Sequence, residues 1–211
     1  MTSRSPAVDA LLARVREAVR AQPVSVESVP SHAMVRRVPR DQSDLASLFA
    51  AKANAIGMRV TRISDAELDA TIAKLLENRG KTVVAARDQA LAARAATAAG
   101  ARLAPNDNDD LLFDCEVGIT DVDCAIAESG SLVVSTNGRI RNAWITPPIH
   151  IAIVRAGEIL PDLVDLFELR PDALDAASTT IITGPSKTAD IEGVLVTGVH
   201  GPAAVEIVLV G

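Results

Sequence analysis

The sequence has very few aromatic residues and only two cysteines. Aromatic residues make up 2% of the 211 residues, and tyrosine is absent, so the 48% of hydrophobic residues must form an aliphatic core. Cys115 and Cys124 are too few for a disulfide framework. No apolar run approaches the roughly 18 residues of a membrane span, and the N-terminus has no apolar secretory segment. We therefore expect a cytoplasmic protein.

An excess of positive charge is also missing. The chain has 21 Lys and Arg residues against 27 Asp and Glu residues, which gives a formal net charge of −6. Charges of both signs are mixed along the chain, and no basic stripe suited to a phosphate backbone stands out. We expect neither a nucleic-acid partner nor a membrane span.

The motifs of the common cofactors are absent too. No G-x-G-x-x-G follows a strand pattern, and no G-x-x-x-x-G-K-[ST] occurs. An iron–sulfur cluster normally takes four thiolates, so we predict no cluster and no metal bound by this chain alone. The alternative is a metal site assembled in space from residues distant in sequence, namely His150, His200, Asp190 and Glu192.

The sequence does contain a regular alternation of helix and strand patterns. Apolar residues at helical spacing mark a first helix within residues 8–19, and three prolines follow in residues 21–42. From residue 43 onward, Val- and Ile-rich strands alternate with Ala-rich helices, which is typical of a mostly parallel sheet covered by helices. We predict an open, Rossmann-like α/β sheet over residues 43–211, with an N-terminal helix and linker over residues 1–42.

Strand patterns dominate the second half of the chain. They occur at residues 117–120, 131–135, 149–154, 179–182, 194–199 and 205–210. Residues 121–127 are predicted as a short helix, and another is expected to begin within residues 183–192. Ser64 and Glu67 have the spacing of a capping box, which predicts a helix start in the first half.

A group of candidate site residues surrounds the strand pattern at 131–135. Glu128 precedes Ser129 and Gly130 at a turn, where a carboxylate can act as a base, a nucleophile or an anchor for a ligand hydroxyl. Thr120 lies just before this region. The alternative is a carboxylate that only holds a surface turn.

Arg139 and His150 are further candidates. An arginine can bind a carboxylate through two parallel hydrogen bonds, which suits a hydroxy- or keto-acid ligand. His150 begins an apolar strand and is a candidate proton donor or ligand contact, or simply a hydrogen-bonding partner at a strand edge.

Two polar turns follow strand patterns near the C-terminus. In open α/β sheets ligands bind beyond the carboxyl ends of strands, so we predict that the turns at 183–188 and 198–202 form one site. Backbone amides and a lysine in the first turn would bind an anion. The residues assigned to this site are Gly184, Ser186, Lys187, Thr188, Asp190, Glu192 and His200.

Several of these segments resemble one known family. The run at 182–192 followed by Gly198-Val199-His200-Gly201-Pro202 is similar to the C-terminal signature of the lactate-utilisation protein C family. Residues 126–133 and 147–151 match its earlier blocks in the same order. The resemblance is strong over residues 110–211, although Lys187 stands where arginine is common.

The resemblance implies both a fold and a role. The implied fold is that of the ribose-5-phosphate isomerase and CoA-transferase group. The implied role is an accessory subunit beside two cysteine-rich iron–sulfur proteins that together oxidise L-lactate to pyruvate, with the clusters in the partners and a small carboxylate as the expected ligand. The alternatives are a stand-alone isomerase- or CoA-transferase-like enzyme that uses Glu128 on a small anionic substrate, and a regulatory or scaffold module.

Overall fold

The structure, a computed structural model, describes residues 6–21, 37–41, 44–104, 112–188 and 196–211. It divides into two units, Met1–Arg36 and Arg37–Gly211. The first unit contains helix α1 (Pro6–Ala21). Residues 37–41, which the sequence assigns to the linker, lie in the second unit.

Helices and strands alternate along the second unit. Its helices are α2 (Leu45–Ala55), α3 (Leu68–Leu75), α4 (Gln89–Ala99), α5 (Asn142–Ile145), α6 (Leu163–Leu169) and α7 (Pro171–Leu174). Its strands are β1 (Arg59–Ile63), β2 (Thr82–Val84), β3 (Val117–Asp121), β4 (Cys124–Ile126), β5 (Ser131–Ser135), β6 (Ile149–Arg155), β7 (Ile159–Leu160), β8 (Thr179–Ile182), β9 (Lys187–Thr188), β10 (Val196–Thr197) and β11 (Ala204–Val210). Short 3-10 turns occupy Asp65–Glu67, Gly100–Arg102 and Ala156–Glu158.

Aspartate side chains cap the starts of three helices. Asp44 accepts a hydrogen bond from the amide of Ser47 and caps α2. The side chains of Asp88 and Asp162 cap α4 and α6 in the same way. Because the first amides of a helix have no partner within the helix, an aspartate at this position stabilises each start by about 1 kcal/mol.

The main sheet has five strands in the order β1-β11-β6-β3-β2, and every neighbouring pair is parallel. Helices α3 and α4 cover one face, where Leu68 and Leu91 pack in one cluster with Ile119 and Ile151. Strand β3 is buried along its whole length, as expected for a strand covered on both faces. The predicted open, Rossmann-like α/β sheet is therefore confirmed.

A second, four-stranded sheet packs on the other face of the main sheet. Its order is β7-β4-β5-β8, with antiparallel pairs around β5 and a parallel β4–β7 pair. Phe49 of α2 and Trp144 of α5 fill the core between the two sheets, while Leu166 of α6 and Ala173 of α7 cover the far side of the second sheet. The aliphatic core predicted from the composition thus forms around the chain's single tryptophan.

Several sequence predictions are confirmed, and one is wrong. The strands at 131–135 and 179–182 have the predicted bounds, and the capping box of Ser64 and Glu67 is present. The helix predicted at 121–127 is instead the end of β3 and strand β4. Another helix is expected to begin within residues 183–192; residues 187–188 form the short strand β9, and residues 189–192 lie outside the described residues, so this expectation stays a prediction. None of the helices within the described ranges is long and apolar enough to cross a membrane.

Candidate functional site

A cavity of about 300 Å³ lies between β8, α5 and the turn that leads into β11. Its apolar lining includes Trp144, Ile182 and Val205. Its polar lining includes Thr183 and His200. An apolar surface with a few polar groups is typical of a small-molecule site.

Ser186 joins the two polar turns that the sequence assigns to one site. Its amide donates to the carbonyl of Pro202 at 2.9 Å, and its carbonyl accepts from the amide of Gly198 at 2.9 Å. Its hydroxyl accepts a hydrogen bond from the amide of His200 at 3.4 Å. The fold therefore brings together Gly184, Ser186 and His200, which all line the cavity.

A chain of three hydroxyls leads to this cavity from the turn between β4 and β5. The Oγ atoms of Ser129 and Ser131 lie 2.7 Å apart, and Ser131 Oγ lies 2.8 Å from Thr183 Oγ1 at the cavity. Two hydrogen bonds use two of the three hydroxyl protons; when both bonds run in the same direction, the third proton lies on the hydroxyl at one end of the chain. The hydroxyl of Thr183 can therefore donate to a ligand in the cavity while the serine hydroxyls donate along the chain toward it.

Glu128 and Gly130 lie on either side of Ser129, the first residue of this chain of hydroxyls, and their surroundings differ. The Glu128 side chain is exposed, and its backbone amide donates to the carbonyl of Pro161 at 3.0 Å. Gly130 has a φ of 70°, and a Cβ there would lie 2.3 Å from the amide nitrogen of Ala53 in α2. The need for glycine at 130 is therefore explained by packing, whereas the carboxylate of Glu128 faces solvent.

Thr120 and His150 form a buried pair away from the cavity lining. The hydroxyl of Thr120 lies 2.9 Å from Nε2 of His150, and both residues are fully buried between the two sheets. Burial lowers the pKa of His150 to about 4 because the charged imidazolium is poorly solvated there. At neutral pH the ring is therefore uncharged, and the catalytic role predicted for it stays a prediction.

Arg139 lies in a buried ion-pair cluster at the carboxyl ends of the parallel strands. Its Nε donates to Asp121 at 2.5 Å and its Nη1 to Asp123 at 3.0 Å, and its side chain is fully buried. Asp121 also accepts hydrogen bonds from the amides of Arg87 and Asp88. These contacts bind the guanidinium to groups of the protein itself, and its predicted role in ligand binding remains a prediction.

The remaining predicted residues lie away from the cavity or outside the described residues. Lys187 Nζ lies 4.0 Å from the position that a Cβ on Gly57 would take, beside the C-terminal end of α2. Thr188 pairs with Val196 in the β9–β10 hairpin. Asp190 and Glu192 are not among the residues that the structure describes.

The cavity is not at the carboxyl edge of the main sheet, where the sequence argument placed the two turns. Strand β8, which precedes residues 183–188, belongs to the second sheet, and residues 198–202 lead into the amino end of β11. The strand pattern alone could not show which sheet each strand joins. Sequence reasoning also missed Trp144, although the only tryptophan in a chain with 2% aromatic residues was a signal worth following.

The two cysteines are buried in different parts of the core. Cys115 packs near Val83 and Leu112, whereas Cys124 packs near Ile126 and Leu166. Burial raises the pKa of both thiols, that of Cys124 to about 12, which disfavours the thiolate that binds metals. Within the described ranges no group of three or more His, Cys, Asp or Glu side chains is arranged to hold a metal ion.

A parallel sheet with a smaller mixed sheet packed on one face, and a cavity beside the second sheet, define a class of Rossmann-like α/β proteins. The chain belongs to the LUD domain family, which residues 46–210 match. It is 32% identical over 181 residues to "Lactate utilization protein C" of Exiguobacterium sp.. The aligned region covers 80% of this chain and 79% of that protein. The resemblance drawn from the sequence motifs is therefore confirmed.

Two further similarities concern half of the chain or the fold alone. "Lactate utilization protein C" of Geobacillus sp. is 37% identical over 109 residues, or 49% of this chain and 45% of that protein. The crystal structure of a DUF162 family protein from Deinococcus radiodurans has a TM-score of 0.65 at 22% identity and covers 82% of this chain and all of that one. At this identity the structural similarity supports the fold alone.

Proposed function

We propose that this chain serves in lactate utilisation as an accessory subunit that binds no iron–sulfur cluster itself. Its partners are two cysteine-rich iron–sulfur proteins, and the assembly oxidises L-lactate to pyruvate. The observation that carries the proposal is the similarity to a relative named "Lactate utilization protein C" over 80% of this chain.

The surroundings of the cysteines support the assignment of the iron–sulfur clusters to the partners. A cluster normally takes four thiolates, whereas this chain has two cysteines whose thiols are buried in separate parts of the core. Electron transfer through clusters is therefore assigned to the partners. This chain contributes the cavity beside β8, where a small carboxylate ligand would contact Thr183, Ser186 and His200.

Affinity purification from cells grown on L-lactate tests the proposal. The tagged chain should co-purify with two cysteine-rich proteins, and the material should be brown with the visible absorption of iron–sulfur clusters. Cells grown without lactate provide the control for induction. The accessory role is wrong if the purified chain alone oxidises L-lactate at the rate of the assembly.

The role of the cavity is tested within the same assembly. His200→Ala should lower lactate oxidation without loss of the partners, because the side chain lines the cavity. Val199→Ala is the matched control, since Val199 is an exposed neighbour that is not part of the lining. Equal rates of lactate oxidation for the two variants would mean that the cavity has no part in the reaction.

A stand-alone enzyme of the isomerase or CoA-transferase type is the second candidate function. The observation in its favour is the exposed Glu128 next to the hydroxyl chain that reaches the cavity. This candidate requires the purified chain to bind CoA or a small phosphorylated anion, with activity lost in Glu128→Gln. A calorimetric titration without binding, on correctly folded protein, would eliminate it.

A further inference from the structure

A groove of about 520 Å³ lies between α3 and α4, on the side of these helices that faces away from the main sheet. Its walls are formed mainly by Ala70 and Ala73 of α3 and by Ala93 and Ala98 of α4. The outer positions of a surface helix are usually charged or polar. Alanines at these positions leave an apolar surface that a third helix can approach closely, because the distance between packed helices depends on the side chains at the contact.

Arg94 links the two helices at the edge of this groove. Its Nε donates to Asp69 at 2.7 Å, and its Nη1 donates to Asp65 at 2.9 Å. The side chain of Asp69 lines the groove and is 62% exposed, so its carboxylate can accept hydrogen bonds from a cation on an occupant. The groove thus combines apolar walls with an acidic group at its edge.

Helix α1 has an exposed apolar surface of its own. Val8, Leu11 and Val15 lie on one side of the helix, and their exposed fractions range from 43% to 58%. Arg14 and Arg16 lie on opposite borders of this apolar stripe. An amphipathic helix of this kind is a typical occupant of a hydrophobic groove.

We propose that the groove between α3 and α4 binds α1 of a second copy of this chain. The apolar stripe of α1 packs between the alanines, and an arginine at its border pairs with Asp69. Two copies that exchange α1 reciprocally form a closed dimer, in which both stripes and both grooves are covered.

The position of Arg37 favours a second copy over the groove of the same copy. Arg37 is bonded to Asp162 and Asp165 at α6, on the far side of the second sheet, whereas α3 and α4 lie on the opposite face of the main sheet. Packed layers are about 10 Å apart, which separates α6 from an occupant of the groove by roughly 40 Å through the protein. Residues 22–36 span at most roughly 55 Å when fully extended, and the path around the protein is longer than the straight line. Within one copy these residues would have to be almost fully extended, whereas a second copy can bring its groove close to Arg37.

This inference goes beyond the proposed function, because it concerns copies of this chain alone. Dimer formation would stand even if no iron–sulfur proteins co-purified. Conversely, the accessory role would stand for a monomer. The two claims therefore fail separately.

Sedimentation equilibrium of the full chain tests the assembly. We expect twice the mass of 22.0 kDa at micromolar concentrations. Leu11→Glu should raise the dissociation constant of the dimer at least roughly tenfold, because a leucine removed from water stabilises an interface by that much. Ala10→Glu is the matched control, since Ala10 is exposed on the opposite side of the same helix.

A substitution in the groove tests the other half of the contact. Ala93→Arg should weaken the dimer as Leu11→Glu does, because the longer side chain fills the groove. Gln89→Arg is the matched control, since Gln89 is exposed on the same helix and does not line the groove. Leu11 and Ala93 are both exposed, so neither variant disturbs the core.

Disulfide trapping identifies the occupant. Leu11→Cys and Ala93→Cys proteins are mixed under a mild oxidant, and a covalent pair of the two variants is expected on a non-reducing gel. The unsubstituted chain gives the background, because Cys115 and Cys124 are buried.

Four results would each overturn the proposal. They are a monomer at every concentration, a dimer that Leu11→Glu and Ala93→Arg leave intact, a covalent bond formed only between two Leu11→Cys chains, and one formed only within a single chain that carries both cysteines.

Discussion

His150 shows how the core constrains a side chain that sequence reasoning offers as a catalyst. The ring is fully buried and bonded to Thr120, and its Nδ1 has no partner among the described residues. Such a site tolerates the neutral ring and disfavours the charged one. The cost of burying the charged ring argues against an acid–base role. The same cost makes His150 a determinant of stability at low pH.

The stability of the protein should fall as the pH falls from about 6.5 to about 4. The unfolded chain protonates His150 near pH 6.5, whereas the folded chain holds its pKa near 4, so protons bind the unfolded state first. The loss should reach about 3 kcal/mol for this group. Urea unfolding at pH 7.5 and pH 4.5 measures it.

His150→Gln should reduce this dependence on pH, because glutamine keeps a hydrogen-bonding group but does not titrate. His200→Gln, at an exposed histidine, should leave the dependence unchanged. An unaltered difference between the two pH values in His150→Gln would contradict this account.

Gly118 illustrates a second constraint at the residue scale. A Cβ there would lie 1.8 Å from the carbonyl oxygen of Ala143, so α5 can lie on β3 only over a glycine. Gly118→Ala should lower the free energy of unfolding by at least about 1–3 kcal/mol. Gly157→Ala, where nothing lies within 4 Å of the new Cβ, should change it by less than about 1 kcal/mol. Equal stability of the two variants would show that α5 can move away from β3 without a loss in the free energy of unfolding.

At the scale of elements, an ion-pair cluster fixes residues 37–41 to α6. Arg37 donates to Asp162 at 2.8 Å and pairs with Asp165 at 3.1 Å, and Arg40 pairs with Asp165 and Glu168. The carboxylates of Asp162 and Asp165 are almost fully buried. Their charges are therefore compensated mainly by these two arginines.

The double variant Arg37→Gln with Arg40→Gln should lower the free energy of unfolding by clearly more than the control variant does, because it leaves the buried carboxylates of Asp162 and Asp165 without their cations. Lys81→Gln is the control, since Lys81 and Asp114 form an exposed pair that contributes little. Guanidinium unfolding curves compare the three proteins. A double variant as stable as the control would mean that the segment is not held by these charges.

The elements also show how far the sequence predicts the fold. Strands such as 131–135 follow from local apolar patterns, and the capping box follows from two residues three positions apart. The error at 121–127 has a long-range cause. Asp121 and Asp123 look like the start of a surface helix, but Arg139 pairs with both from beyond β5 and holds them in buried, extended chain.

The candidate site is only partly predictable for the same reason. The contact between the turns at 183–188 and 198–202 was predicted, and Ser186 provides it. Their position relative to the sheets was not, because local patterns do not assign a strand to one of two sheets. The ion pairs of Glu206 were not predicted either, since a lone glutamate in an apolar strand can be interpreted only once Arg59 and Arg79 are placed around it.

At the scale of the whole molecule, the cavity beside β8 lies near the start of β11 rather than at the carboxyl edge of the parallel sheet. The carboxyl edge instead carries the ion pairs of Asp121, Asp123 and Arg139. This arrangement gives the chain a cavity for a small ligand while its two cysteines remain buried in the core. The proposed accessory role, in which the partners carry the clusters, requires no more of this chain than that.

Reconstitution tests this central claim most directly. The two cysteine-rich partners are purified from cells that lack this chain, and L-lactate-dependent reduction of an artificial electron acceptor is measured before and after the purified chain is added. The account predicts slow turnover by the partners alone, no turnover by the chain alone, and restored pyruvate formation when they are combined. Full activity of the partners without this chain, or of the chain without the partners, would contradict it.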